Sequence, residues 1–228
     1  MTTRSSLRWI EGVLLVTGVA CLALWAKPAL EARGFQASQS KALDAARQAA
    51  QAPRGAPAGR GRPSVPAAGK SGRPATAGAV IGRLEVPRLH VSAMVAEGSD
   101  TRTLAHAIGH VTRTALPGRP GNCALAGHRD SFLRGLRGVR MHDLVRVVTV
   151  DRTYTYRVEW MAIVAPRQVE VLDSTATRSL TLITCYPFTY VGHAPQRFIV
   201  RATQVDASPG GPQRATVAPA SAPARRHS

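Results

Sequence analysis

Short apolar runs separated by turn residues fill positions 80–206 of the chain, and the pattern differs on either side. Segments 80–86, 89–95, 122–126, 144–150, 153–164, 180–185 and 198–205 read as strands. Several are rich in Val, Ile, Thr and Tyr, and 153–158 alternates strictly. Segment 101–108 predicts a helix, with Ser99 or Asp100 as cap and Leu104 and Ile108 on one face. Phe132, Leu133 and Leu136 predict one further helical turn. Seven or eight short strands with one or two short helices predict an all-β domain, a closed barrel or a sandwich.

A second pattern precedes the strands. Arg4 and Arg8 lead into an uncharged run from Gly12 to Ala26, which ends at Lys27-Pro28. Trp9 and Trp25 are 16 residues apart, about 24 Å along a helix, and suit indoles at two membrane interfaces. The expectation is an uncleaved single-pass signal anchor over 9–27. Residues 1–8 would then be cytoplasmic and the rest extracytoplasmic, because the leading arginines favour the inside. A cleaved signal peptide and a lipoprotein site at Cys21 are the alternatives. Residues 29–50 are rich in Ala and Gln and could form a helix, but their apolar stripe is thin. From Gln51 to Ala79, 19 of 29 residues are Pro, Gly or Ala, so nothing there can build a core. Residues 28–79 therefore read as a stalk or linker, and 207–228 as a disordered basic tail.

Charge refines this division. Lys and Arg outnumber Asp and Glu 30 to 13, and more than half of the excess lies outside 80–206. The basic tracts lack interleaved aromatics, which disfavours nucleic acid and leaves solvation or attraction to anionic lipid and wall polymers. Three cysteines exclude a disulfide scaffold, and no C-x-x-C pair suggests zinc. No metal or cofactor is expected.

Three stretches carry chemistry. In 121–130, GNCALAGHRD, an apolar strand ends in Gly and delivers His128 as the chain leaves the sheet. In 180–187, LTLITCYP, a strand ends on Cys185 and is stopped by proline. In 192–200, GHAPQRFIV, a turn delivers Arg197 onto the next strand, twelve residues after Cys185. A thiolate nucleophile, an imidazole able to protonate a leaving amine and a guanidinium at a developing oxyanion form an acyl-transfer set.

Together these stretches resemble the sortase signature, and Tyr186-Pro187-Phe188 with Ala194-Pro195-Gln196-Arg197-Phe198 resemble the class D branch. The likeness covers about 80–205. It implies a closed eight-stranded β-barrel, a single-pass anchor and a cysteine transpeptidase with His128, Cys185 and Arg197 as the catalytic three. It also implies that Thr184, beside the nucleophile, helps order the substrate. The implied partners are secreted proteins with a C-terminal, LPxTG-like sorting motif. An amine of peptidoglycan or of another surface protein would be the acceptor.

Other readings stand beside these. Asp130 could orient His128, or cap its loop in an Asx turn. His193 lies near the site in sequence, where a less basic residue is expected, and with Asp130 is a candidate supporting or substrate-binding residue. Cys123 sits inside an apolar strand, as a core residue or as a redox partner of Cys185. Rival functions are an L,D-transpeptidase-like wall acyl-transferase and a non-catalytic envelope-binding module. The 57-position separation of His128 and Cys185 disfavours the former, whose His and Cys lie close together.

Overall fold

The structure, a computed structural model, describes residues 3–52, 76–189 and 192–205, with the side chains of the first helix from Trp9 onward. Helix α1 spans Thr3–Gln51 and α2 spans Thr101–His106. The strands are β1 (Val80–Val86), β2 (Val91–Glu97), β3 (Ile108–His110), β4 (Gly121–Ala126), β5 (Leu144–Val148), β6 (Thr153–Val164), β7 (Arg178–Tyr186) and β8 (Gln196–Gln204). They close into a barrel in the order β1-β2-β3-β4-β7-β8-β6-β5. Two pairs, β2/β3 and β4/β7, are parallel and the rest antiparallel. The all-β, eight-stranded closed barrel expected from the sequence is thus present, preceded by an apolar helix.

Alternation sorts each strand between core and outer face. Leu180 and Leu182 of β7, Val200 and Ala202 of β8, and Cys123 and Leu125 of β4 join Leu84, Ile108, Val145 and Val158 inside. Leu133 and Leu136, wholly buried, close one end of this core through a 3-10 turn at Arg134–Gly138. Tyr156 is also fully buried, and its hydroxyl accepts a bond from the Gly118 amide at 2.9 Å. Gly118 has φ +77 and a Cβ there would fall 1.9 Å from the Tyr154 ring, so only glycine fits.

Two local expectations need correction. The helix expected over 101–108 ends at His106, and Ile108–His110 forms β3. Asp100 is its cap, accepting bonds from the amides of Arg102 and Thr103. The strand expected from residue 89 begins at Val91, because Pro87–Leu89 forms a 3-10 turn and His90 follows in the left-handed region.

Among the described residues one helix, at the N-terminus, is long and apolar enough to cross a membrane. Its large apolar side chains from Trp9 to Leu30 are all exposed. The segment read as a stalk divides. Residues 28–51 continue α1, which reaches the barrel surface, whereas 53–75 lie outside the described residues, as does the expected tail at 207–228.

Candidate active site

The barrel register brings the three sequence-predicted residues into one row. In the antiparallel β7/β8 pair Cys185 lies directly opposite Arg197, so both side chains leave on the same face. In the parallel β4/β7 pair Ala126 lies opposite Ile183. His128 and Cys185 each follow two residues later, at the same level of adjacent chains. Because Leu180 and Leu182 point inward, Ile183 and Cys185 face outward. The site therefore lies on the outer face of the barrel, at the ends of β4 and β7 and the start of β8. Cys185 and Arg197 are half-buried there and His128 is exposed.

Two bonds hold the turn that presents His128. The Gly127 amide donates to the Ile183 carbonyl at 3.0 Å, and Thr184 Oγ1 donates to the Gly127 carbonyl at 2.8 Å. Thr184 is 2% exposed and points inward, so it braces this turn from beneath. Arg197 Nη1 donates to the carbonyls of Ala194 and Gln196, which folds its guanidinium back on its own turn. Arg129, next to His128, reaches across to the Gly192 carbonyl at 3.1 Å and ties the two loops that flank the row. After Cys185 the chain is anchored by edge-on packing of Phe188 against Tyr186 and Phe198, at centroid distances of 6.1 and 5.6 Å.

A polar network that the sequence did not announce lies on the same outer face. Asn122 Nδ2 donates to the carbonyls of Val171 and Asp173, and Arg201 Nη2 donates to Val171 at 2.6 Å. Thr181 Oγ1 joins the two, donating to Asn122 Oδ1 at 2.6 Å and accepting from Arg201 Nε at 3.2 Å. Asn122, Thr181 and Arg201 thereby pin the β6–β7 connection over the outer face of β4, β7 and β8. Arg201 also lies over the Trp160 ring, 5.9 Å from its centroid. Burial lowers the affinity of its guanidinium for its proton, which the nearby Asp173 partly offsets. Only the period-2 position of Asn122, a polar residue in an apolar strand, hinted at this role.

The remaining expected residues fall further from the row. Asp130 is exposed, and among the described residues no hydrogen bond joins it to His128. His193 is exposed on the β7–β8 loop. Cys123 is 1% exposed in the core, beside Leu180 in register, which is five residues or about 17 Å along β7 from Cys185. The two thiols lie on opposite faces, beyond the ~7 Å Cα separation a disulfide spans. A redox pair is thereby overturned in favour of core packing. Burial, and secondarily the Glu97 carboxylate, raise the Cys123 thiol far above its ordinary range. Among the described residues no group of three His, Cys, Asp or Glu could hold a metal.

The model of the sortase domain family matches residues 84–205. Sortase D of Bacillus subtilis is 31% identical over 129 residues, covering 56% of this chain and 65% of its own length. Sortase SrtE1 of Streptomyces coelicolor is 29% identical over 123 residues, 46% of this chain and 35% of its own. Among solved structures, a Clostridium perfringens sortase D5 transpeptidase superposes with a TM-score of 0.53 at 26% identity, covering 57% of this chain and 82% of that one. Sortase C-1 of Actinomyces oris gives 0.50 at 28% identity, covering 55% and 73%. The chain thus spans less than two thirds of the length of the curated relatives it matches.

Proposed function

Because the chain belongs to the sortase family, we propose that it is a membrane-anchored cysteine transpeptidase that cleaves a sorting motif near the C-terminus of secreted proteins and joins the acyl part to an amine of the cell envelope. The observation that carries this reading is the row His128–Cys185–Arg197, set by two strand registers.

The Cys185 thiolate adds to the carbonyl carbon of the residue before the scissile bond, in an LPxTG-like sequence the threonine. Negative charge gathers on the carbonyl oxygen, and Arg197, one strand away on the same face, supplies donors to it. His128 as imidazolium gives its proton to the leaving amine as the C–N bond breaks, leaving a thioester on Cys185 and a neutral imidazole. An incoming amine attacks the thioester and His128 takes its proton. The peptide bond forms and the thiolate is restored. No cofactor enters these steps. Thr184 acts from below, through the Gly127 peptide, by holding His128 at the level of Cys185. Asp130 and His193 are assigned to the loops around the site.

The apolar part of α1 over 9–27 is assigned as the single-pass anchor, N-terminus inside, with the barrel on the extracytoplasmic side. The test is turnover of a panel of quenched sorting-motif peptides, with and without an added amine. Amine-dependent ligation that disappears in Cys185→Ala supports the reading, whereas ligation retained in Cys185→Ala overturns it.

A further inference from the structure

Helix α1 is about two and a half times as long as its apolar part over 9–27, and much of the excess is docked on the barrel. Phe35, Gln36, Ser40, Leu43, Asp44 and Arg47 recur at helical spacing and share one face. Each meets a partner. Phe35 packs beside the His106 ring at 6.0 Å, and Gln36 bridges two backbone groups, donating to the His106 carbonyl and accepting from the Met94 amide, both at 2.7 Å. Arg83 donates to Ser40 and to the Asp44 carboxylate at 2.8 and 3.1 Å. Leu43 is 3% exposed in a cluster with Met94 and Val148. Arg47 donates to the Thr149 carbonyl and the Thr153 hydroxyl. By contrast Leu30, one turn before this face begins, is 61% exposed.

The docking has a direction. Met94, Arg83 and Val148 are register partners across β2, β1 and β5. Two strand spacings come to about 10 Å, the rise of the helix from Gln36 to Leu43. The helix therefore crosses these three strands side to side, fixed at both ends and the middle. The distance from Trp25 to Phe35 is ten residues, about 15 Å of helix. Pro28 lies between, inside the continuous helix. The Pro/Gly/Ala-rich stretch enters the chain only after the docked segment, so its length does not separate the anchor from the barrel.

We infer that α1 is a strut. It holds the barrel against the lipid surface at a fixed height and rotation, so the site reaches scissile bonds presented close to the same bilayer. This rests on the proposed anchor and transpeptidase reading, and it replaces the flexible stalk expected from composition.

The test uses the full chain in phosphatidylglycerol-containing nanodiscs. A seven-residue alanine insertion between Arg33 and Gly34 adds about 10 Å of helix and turns it by only about 20°. A second variant carries twenty extra Gly/Ser residues within 53–75. Energy transfer is read from a dye at Asp151→Cys, in a Cys21→Ser, Cys185→Ala background, to a lipid-bound acceptor. The strut predicts that the helix insertion moves the dye away by about 10 Å and that the loop insertion moves it little. In the parent background, turnover of a lipid-anchored sorting peptide with a short spacer should fall about tenfold on helix insertion. Lengthening the spacer by a matching amount should restore it, and a free peptide should be turned over equally by all forms. A loop insertion that shifts the dye or the preferred spacer, with no effect of the helix insertion, overturns the strut. Wild-type inactivity on both peptides counts against the transpeptidase reading alone, because the dye distances still decide the strut.

Discussion

Replacing Thr184 by valine keeps the size and shape of the side chain and removes one bond, from Oγ1 to the Gly127 carbonyl. Thr184 is 2% exposed, so water cannot take the hydroxyl's place, and an orphaned buried carbonyl costs about 1–3 kcal/mol. Near 2 kcal/mol, the melting temperature should fall by roughly 8 °C for a domain of this size. The same peptide is held from its other side by the Gly127 amide bond to Ile183. Without Thr184 it can rotate about that single tether, carrying His128 with it. A displacement near 1 Å at a catalytic group costs up to about 100-fold, so kcat should drop about 10- to 100-fold with KM little changed. Thr184→Ser should restore both stability and rate. Chemical denaturation and peptide turnover well below the melting temperature separate the two effects. Alkylation of Cys185 should proceed at an undiminished rate in the valine variant, since the nucleophile's own strand is intact. A valine variant as stable as the parent would refute the bond, and one that is destabilised but fully active would refute its role in placing His128.

Further outcomes follow from other contacts. Arg201→Met removes donors to Val171 and Thr181 and the stack on Trp160; it should cost about 2 kcal/mol and raise hydrogen exchange at Val169–Asp173 more than in the core strands. The Arg88 guanidinium forks onto the buried Asp143 carboxylate and holds its proton affinity below the ordinary range. The stability this pair contributes is thus present above the unfolded carboxylate value near 4 and is lost as pH falls through the lower folded value. Asp143→Asn should accordingly destabilise by roughly 2 kcal/mol at pH 7 and by progressively less as the pH is lowered toward the folded carboxylate's value, read from urea midpoints across an acid series. In the native barrel iodoacetamide should modify Cys185 and spare Cys123, whose burial suppresses the thiolate; peptide mapping after a brief pulse checks this.

What the sequence disclosed follows from how local each signal is. Strands β6 and β7 carry their own β-branched alternation, and His128, Cys185 and Arg197 are each fixed by a residue or two of flanking turn chemistry. Their convergence needed only one hairpin and one parallel pair. Strand β3 is three residues long, too short for any period, and exists because Val95 and Ala126 flank it in the closed barrel. The stripe on 29–50 looked thin because four of its six docking residues are polar: Gln36, Ser40, Asp44 and Arg47 dock by hydrogen bonds to β1, β2 and the β5–β6 turn. Asn122 and Arg201 are 79 residues apart, and nothing in either neighbourhood says that both hold Val171. Thr184 is expected from the resemblance to help order the substrate; the alternation of β7 turns it inward, where it holds the Gly127 peptide.

The most direct test of the central claim is intact-mass analysis of the protein mixed with a sorting-motif peptide in the absence of any amine. Acyl transfer through Cys185 predicts an adduct equal to the acyl portion of the peptide, located on Cys185, labile to hydroxylamine and discharged to ligated product when an amine is added. Arg197→Ala should form it at least about 100-fold more slowly. Peptide cleavage without an adduct in wild type and Arg197→Ala alike, or an adduct on any residue other than Cys185, would contradict it.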